Sequence, residues 1–279
     1  MSNKFVFITG CSSGIGLDAA RSLKARGYDV LASCRQALDV ERLTQQGIDC
    51  IQLDLADSAS IQSALEHIGA HGELYALVNN GAFGVPGAVE DLSRDALRHQ
   101  FESNVFGTHE LTRGCLKLML PHNRGRIIQI SSILGGLCLP FRGAYNASKY
   151  ALEALSDTLR LELDSTEVHV SLIQPGPIES DFRPNALRQF DTWVRPQPTR
   201  FTRHYSRVEA RLTAERPVPF TLPAAAVTDA IIHALEKKRP KIRYRVTRPT
   251  QVFLPLKRLL PDRWMDKLLL LLGDRPRED

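Results

Sequence analysis

The feature that most constrains this sequence is a short apolar run that passes directly into a glycine-rich turn and then into a helical pattern. The run, Phe5-Val6-Phe7-Ile8, has no polar residue and is typical of a parallel strand buried on both faces. An apolar stripe from Leu17 to Leu23 predicts the helix, and Gly27 is placed to end it. A strand, a turn and a helix in this order indicate an open α/β sheet.

The glycine-rich turn is a candidate phosphate site. Glycines let the backbone approach a diphosphate, and the helix that follows points its free N–H groups and its positive dipole end at the same place. The spacing is Gly-x-x-x-Gly-x-Gly and not Gly-x-Gly-x-x-Gly, so the general dinucleotide fingerprint does not apply as written. The alternative is a tight strand-to-helix connection without a ligand. The turn consists of Thr9, Gly10, Cys11, Ser12, Ser13, Gly14, Ile15 and Gly16, in which the two serines add neutral donors.

Composition favours one large α/β domain. The chain has 279 residues, 43% of them hydrophobic, and neither a Gly/Ser linker nor a charge block divides it. The formal net charge of +5 is modest and dispersed, which argues against a nucleic-acid-binding surface. Five cysteines without C-x-x-C spacing are interpreted as reduced thiols of a cytoplasmic protein. We expect neither a secretory signal nor a transmembrane helix, because no leader-like segment and no run of about 18 apolar residues is found.

The end of the second predicted strand indicates which dinucleotide the turn would bind. Residues 30–33 form a short apolar strand, and Arg35 follows it closely. An acid at this point bonds a ribose 2′-hydroxyl, whereas a basic residue accommodates a 2′-phosphate. Arg35 offers bidentate phosphate recognition and therefore favours NADP(H) over NAD(H). Asp39 and Glu41 lie nearby in the sequence and keep NAD(H) as the alternative.

Polar residues and glycines also follow three later strands. Asp54 and Leu55 come after the third strand, where Asp54 either accepts from an adenine amino group or caps the turn. Asn80 and Gly81 follow the fourth strand, and turn structure explains them as well as a ligand contact does. Residues 175–177, Pro-Gly-Pro, end the sixth strand. Ligands of open α/β sheets bind at the carboxyl ends of strands, so we expect these residues to border one cleft.

A tyrosine and a lysine form a candidate acid/base pair. If residues 145–163 are helical, Tyr145 and Lys149 lie at i and i+4 on the same face. Lowering a tyrosine pKa from about 10 to neutrality takes about 4 kcal/mol, which a cation about 4 Å away at an effective dielectric near ~20 would supply. An isolated Tyr-x-x-x-Lys is nevertheless more often an ordinary helix surface pair.

Polar residues elsewhere support the pair. The fifth predicted strand, residues 126–130, delivers Ser131 and Ser132 to its carboxyl end. Asn104 lies inside a long helical pattern that begins at Ser93. Its poor helix propensity indicates that its amide has a specific bonding partner.

Three further features concern the surroundings of the site. Residues 180–221 mix Pro, Arg, Phe and Trp without a period, which is typical of a lid or binding loop. The tail from Val252 to Leu272 is amphipathic and cationic, so it either lies at a membrane surface or packs over the substrate pocket or a neighbouring subunit. Ala147, Ala151 and Ala154 give the helix of the candidate pair a small-residue face that suits a subunit contact.

Taken together, these motifs resemble those of the classical short-chain dehydrogenases/reductases. The sequence is most similar to bacterial NADP-dependent aldehyde reductases and to the hydroxysteroid and retinol dehydrogenase branch. The family implies a single Rossmann-type, doubly wound domain with a mainly parallel, seven-stranded sheet and helices on both faces. We place this domain at residues 1–250, with a lid at 180–221 and a C-terminal helical extension at 251–279. The resemblance rests on Thr9-Gly10-x3-Gly14-Ile15-Gly16, Asn79-Asn80-Gly81, Asn104, Ser132, Tyr145-x3-Lys149 and Pro175-Gly176.

The resemblance also implies a role for each site residue. Tyr145 would be the general acid for carbonyl reduction and the general base for alcohol oxidation, and Ser132 would bond the substrate oxygen. Lys149 would hold the nicotinamide ribose and lower the pKa of Tyr145, while Asn104 would anchor a water of the proton relay. No metal site is expected. The expected cofactor contacts are Gly10, Ser12, Ser13, Gly14, Ile15, Gly16, Arg35, Asp54, Leu55, Asn80, Gly81, Tyr145, Lys149, Pro175, Gly176, Ile178 and Ser180.

Two positions depart from the family pattern, and neither removes a catalytic group. The usual Asn-Asn-Ala-Gly is here Asn-Asn-Gly-Ala at residues 79–82, and Ser180 stands in place of a threonine. The sequence therefore predicts an NADP(H)-dependent oxidoreductase that interconverts a carbonyl and an alcohol on an apolar substrate, as a homodimer or homotetramer. The alternatives are a non-catalytic NADP(H)-binding sensor or scaffold, an NAD(H)-dependent alcohol or steroid dehydrogenase, and an epimerase or dehydratase.

Overall fold

Seven parallel strands form the centre of the molecule in a computed structural model that describes residues 4–214 and 218–272. The sheet order is β3-β2-β1-β4-β5-β6-β7. Strands β2 and β3 are added outward on one side of β1, and the chain then crosses back to add β4 to β7 on its other side. This reversal is the mark of a doubly wound sheet, so the predicted Rossmann-type fold is confirmed. The strands are β1 (Phe5–Ile8), β2 (Asp29–Cys34), β3 (Asp49–Gln52), β4 (Leu74–Asn79), β5 (Gly125–Ile130), β6 (Val168–Gln174) and β7 (Arg243–Arg245).

Helices cover both faces of this sheet. A π-helical turn, Glu102–Gly107, joins α4 to α5 where the sequence predicted an unbroken helix. The helix that carries Tyr145 and Lys149 is α6, close to the predicted bounds. The helices are α1 (Gly14–Ala25), α2 (Ala37–Gln45), α3 (Ser58–His71), α4 (Arg94–Phe101), α5 (Thr108–Met119), α6 (Gly143–Glu162), α7 (Phe182–Trp193), α8 (Thr202–Thr213), α9 (Ala225–Glu236), α10 (Arg248–Leu259) and α11 (Asp262–Leu272).

The apolar run in β1 is explained by its position between two helix layers. Val6 and Ile8 pack into a core that includes residues of α1 and α9. Phe5 and Phe7 point the other way, into a core with residues of α3 and α5. Because successive side chains of a strand alternate between faces, a strand covered on both sides needs an apolar residue at every position.

The prediction of an irregular segment over residues 180–221 is wrong, because α7 and α8 occupy much of it. Their packing faces are built from scattered residues, among them Phe190, Tyr205 and Val208, which form a separate cluster with Phe83 from the loop after β4. This cluster has no regular aliphatic stripe, and the sequence pattern therefore did not show two helices. The lid role of the segment stays a prediction.

The tail forms α10 and α11 rather than one continuous helix. Leu254 and Met265 are buried against Leu134 and Leu137, in the loop that follows β5. This contact supports the packing alternative for the tail. Within the described residues, no helix is both long enough and apolar enough to cross a membrane. Trp264 on α11 is exposed, and peripheral membrane contact of the tail stays a prediction. Residues 273–279 of the predicted extension lie outside the described residues.

Candidate active site

The floor of the cleft is formed by the two turns that follow β1 and β4. Thr9 Oγ1 accepts hydrogen bonds from the backbone N–H groups of Asn80 at 3.0 Å and of Gly81 at 2.9 Å. The Asn80 side-chain amide donates to the carbonyl oxygens of Thr9 at 3.0 Å and Gly10 at 2.9 Å. A Cβ atom on Gly10 would lie 2.7 Å from Gly81 Cα, so glycine is required for this approach. Asn80 therefore holds the turns together, and its contact with a cofactor stays a prediction.

The N-terminus of α1 is arranged to receive an anion. Ser13 precedes the helix, and its side chain makes no capping hydrogen bond. A Cβ atom on Gly16 would lie 2.3 Å from the Gly10 carbonyl oxygen, which shows how tightly the helix packs on the turn. A Cβ atom on Gly14 would lie 2.9 Å from Ser180 Cβ, so the loop after β6 borders the same turn. These residues fit the diphosphate of a dinucleotide.

Two arginines follow β2, Arg35 directly after the strand and Arg42 on α2. Arg35 is exposed directly after β2, as predicted. Arg42 on α2 donates from Nη2 to the Ser12 carbonyl oxygen at 2.7 Å and to Asp39 Oδ1 at 2.6 Å. The sequence interpretation missed Arg42, although a second arginine in the helix after Arg35 was the available signal. Its pairing with Asp39 neutralises one of the acids that kept NAD(H) as the alternative.

The structure brings three of the predicted catalytic residues together. Ser132, which follows β5, lies near enough to Tyr145 to act on the pKa of the phenol, and its Oγ accepts from the Leu134 N–H group at 3.1 Å. Lys149 Nζ lies 5.8 Å from the centroid of the Tyr145 ring. The same ammonium donates to the Ile130 carbonyl oxygen at 2.7 Å, at the end of β5.

The titration of the pair differs from the sequence prediction. Burial raises the pKa of Tyr145 to about 12, and the hydrogen bond with Ser132 only partly opposes this. Burial also lowers the pKa of Lys149 to about 8, with the carboxylate of Glu153 acting in the opposite direction. The prediction that Lys149 lowers the pKa of Tyr145 is therefore wrong for this structure, because the ammonium is itself buried and directed at Ile130. Tyr145 is protonated at neutral pH and is suited to donate a proton.

Asn104 lies in the π-helical turn and has the specific bonding that its sequence position indicated. Its side chain accepts from the Phe83 N–H group at 3.2 Å and donates to the Phe83 carbonyl oxygen at 2.9 Å. It also donates to Ser148 Oγ at 3.2 Å, and this hydroxyl donates to the Tyr145 carbonyl oxygen. Asn104 thus connects the loop after β4 to the helix of Tyr145, and its role in anchoring a water stays a prediction.

Three further predicted cofactor residues, Asp54, Leu55 and Ile178, follow the strands β3 and β6. Asp54 Oδ1 accepts from the Ala56 N–H group at 2.9 Å and so caps its turn, which was one of its two interpretations. Leu55 lies against Gly81, where a Cβ atom would be 3.1 Å from Leu55 Cδ1. Ile178 forms an isolated bridge with Leu222. Cofactor contacts of these residues stay predictions.

The loop after β6 is tied to its neighbours on both sides. The Pro175 carbonyl oxygen accepts from the Ile133 N–H group at 2.7 Å, next to Ser132. A Cβ atom on Gly176 would lie 2.2 Å from Thr247 Oγ1, so the loop also packs tightly on the start of α10. These contacts place the loop between the substrate side and the carboxyl-terminal helices.

Apolar groups that the sequence interpretation missed surround Tyr145. The ring of Phe182, the first residue of α7, makes an edge contact with the Tyr145 ring at a centroid distance of 5.3 Å. A Cβ atom on Gly84 would lie 2.9 Å from Phe182 Cζ and 3.3 Å from Tyr145 Cδ2. The cluster that contains Leu254 and Met265 also packs against Tyr145. The surroundings of the phenol therefore suit an apolar substrate.

Known proteins of one family are similar to this chain. Residues 4–190 match the short chain dehydrogenase family profile. YbbO, an uncharacterized oxidoreductase of Escherichia coli strain K12, is 44% identical over 271 residues, which cover 95% of this chain and 94% of that protein. Type 6 17-beta-hydroxysteroid dehydrogenase of Rattus norvegicus is 32% identical over 292 residues, which cover 100% of this chain and 91% of that protein. The crystal structure of a Burkholderia phymatum short chain dehydrogenase/reductase in complex with NAD has a TM-score of 0.77 and 26% sequence identity. The match covers 99% of this chain and 98% of that chain.

Proposed function

Because this chain belongs to the short-chain dehydrogenase/reductase family of oxidoreductases, we propose that it reduces an aldehyde or ketone carbonyl to an alcohol with NADPH. The observation that carries the proposal is the meeting of Ser132, Tyr145 and Lys149 at the carboxyl edge of the sheet, beside the glycine-rich turn. Consumption of NADPH with a panel of aldehydes and ketones tests it. Tight NADPH binding without turnover of any compound would instead favour the sensor alternative.

The proposed mechanism assigns a task to each residue of the site. A bound nicotinamide dinucleotide supplies the hydride. The N-terminus of α1 binds the diphosphate, and Lys149 holds the nicotinamide ribose. Ser132 Oγ and the Tyr145 hydroxyl hold the substrate oxygen, and Tyr145 donates its proton to that oxygen as the alcohol forms. The pKa of Tyr145 at about 12 keeps this proton in place across neutral pH, which supports the reductive direction.

The preference for NADP(H) rests on the two arginines at the end of β2 and on α2. Arg35 is exposed, so its guanidinium is accessible to a 2′-phosphate, and Arg42 lies against the Ser12 carbonyl of the glycine-rich turn. Two guanidinium groups beside one position suit a dianionic phosphate, because charge-assisted hydrogen bonds to phosphate are strong.

Removing either arginine is expected to discriminate between the two cofactors. Arg35→Ala and Arg42→Ala should each raise the Kd for NADPH about tenfold, because each removes a charge-assisted hydrogen bond, and should change the Kd for NADH less than about twofold. Fluorescence titration with both cofactors measures this. Arg26→Ala is the control, since Arg26 pairs with Glu236 at the far end of α1. Equal weakening of NADPH and NADH binding would contradict the proposed preference.

We propose that the protein forms a homo-oligomer through the π-helical turn and α6, because both carry exposed apolar side chains. Phe106 in the π-helical turn is 53% exposed, and Leu155 on α6 is 42% exposed. Ala147 and Ala154 of the predicted small-residue face are exposed as well. Large apolar groups beside small ones suit close packing of helices from a second copy.

Charges placed on this face are expected to dissociate the oligomer. Phe106→Glu combined with Leu155→Glu should reduce the mass in light scattering to that of one chain, because two carboxylates would be buried without partners. Leu259→Glu on α10, where the leucine is 79% exposed, serves as the control and should leave the mass unchanged. A wild-type protein that is already monomeric would refute the proposal.

A further inference from the structure

Glu153 is a buried carboxylate that the proposed mechanism leaves without a task. It lies on α6 one turn beyond Lys149, and only 7% of it is exposed. Its Oε1 accepts hydrogen bonds from Ser131 Oγ at 2.5 Å and from Gln174 Nε2 at 2.9 Å. Its Oε2 accepts from Arg243 Nε at 3.0 Å. Both oxygens are therefore held by donors.

The partners of Glu153 come from the ends of three neighbouring strands. Ser131 follows β5, Gln174 ends β6, and Arg243 begins β7. The pocket is closed by Gly135, where a Cβ atom would lie 2.6 Å from Ser131 Oγ and 3.0 Å from Glu153 Cγ. The carboxylate is therefore held in one position, and its residue lies one helical turn beyond Lys149.

The charges around this pocket alternate. Arg243 faces Glu153 from β7 and also pairs with Asp157, on the next turn of α6, at 2.5 Å. On the other side, Glu153 is the charged group that opposes the effect of burial on Lys149. The Tyr145 ring also lies near Lys149, and the Ile130 carbonyl oxygen of β5 accepts a hydrogen bond from its ammonium. Lys149 and Glu153 thus bond to adjacent residues, Ile130 and Ser131, at the end of β5.

We infer that Glu153 is a positioning residue that acts on Lys149 through its charge and keeps the ammonium directed at the end of β5. It acts through Lys149 and touches neither the reacting atoms nor the glycine-rich turn. The inference rests on the proposed function, because Lys149 has its task only in that mechanism. A charged Lys149 donates to ribose hydroxyls, whereas a neutral amine is a weaker donor.

The titration of Lys149 itself tests this without turnover. In protein labelled with ¹³C at lysine Cε, Lys149→Arg assigns the signal. Glu153→Gln keeps the size of the side chain and removes its charge, so the pKa of Lys149 should fall by about one pH unit. Arg243→Gln removes the opposing cation and should raise this pKa. Glu162→Gln, an exposed acid at the end of the same helix, should leave it unchanged.

The two variants of opposite sign keep the test decisive. An unchanged titration of Lys149 in Glu153→Gln would overturn the inference. If that variant does not fold, Arg243→Gln at the sheet edge carries the test, and a lowered or unchanged pKa of Lys149 there would overturn it. The affinity for NADPH gives a second measure. The wild type should lose affinity several-fold as pH rises through about 8, and Glu153→Gln should show the same loss as pH rises through about 7. A wild type that reduces no carbonyl compound refutes the proposed function, while the titration still decides the role of Glu153.

Discussion

Tyr145→Phe is expected to lower kcat for carbonyl reduction about 10³-fold, because it removes the proton donor from the site. The phenylalanine ring keeps the edge contact with Phe182, so the local packing is retained. Ser132 and Lys149 also stay in place, and the Kd for NADPH should change less than about twofold. Initial rates of NADPH consumption and a fluorescence titration of the cofactor measure the two effects separately.

The matched control for this substitution is Tyr28→Phe. Tyr28 packs at the amino end of β2, on the edge of the sheet opposite the cleft, and its loss should leave kcat unchanged. Undiminished reduction by Tyr145→Phe would remove Tyr145 from the mechanism.

Alcohol oxidation by the wild type should accelerate as pH rises toward the Tyr145 pKa of about 12, since that direction needs the phenolate.

Gly107→Ala is expected to destabilise the protein by about 3 kcal/mol, because the new methyl group has no space. A Cβ atom on Gly107 would lie 1.7 Å from the Leu55 carbonyl oxygen, and this neighbour is backbone that cannot rotate away. The π-helical turn must therefore separate from the loop after β3. Leu55 also lies against Gly81 in the floor of the cleft, so NADPH binding should weaken together with stability.

Gly69→Ala provides the control, because the same change is made where space exists. Gly69 lies inside α3. A Cβ atom added to it would lie 3.8 Å from its nearest neighbour, Leu118 Cδ2. Alanine there should stabilise the protein by roughly 0.5–1 kcal/mol through its better helix propensity. Urea denaturation of both variants gives the comparison. Equal stability of the two would show that the approach of Gly107 to Leu55 is not a constraint.

Features set by local patterns were predictable from the sequence. The apolar run of β1 predicted a strand covered on both faces, and the spacing of Tyr145 and Lys149 placed them on one side of α6. The position of Ser132 after a strand predicted that it would reach the same edge of the sheet. Each of these inferences depends on neighbours within one or two turns of the chain.

Features that depend on burial or on distant neighbours were not predictable in the same way. The raised pKa of Tyr145 follows from how deeply the phenol is buried, which the spacing to Lys149 does not reveal. The π-helical turn around Asn104 brings Gly107 against Leu55, some fifty residues earlier, and a local pattern does not reveal such a contact. The helices α7 and α8 pack through scattered aromatic residues, and their periodicity is hidden for that reason.

The packing of the tail sets the order in which the site is completed during synthesis. The loop after β5 that carries Ser132 rests on Leu254 and Met265, which are made more than a hundred residues later. The hydrogen bonds between the glycine-rich turn and the turn after β4 join residues that are all made early. A chain emerging from the ribosome amino end first therefore holds the residues of these hydrogen bonds before the loop with Ser132 has its support. The support of that loop has to wait for α11.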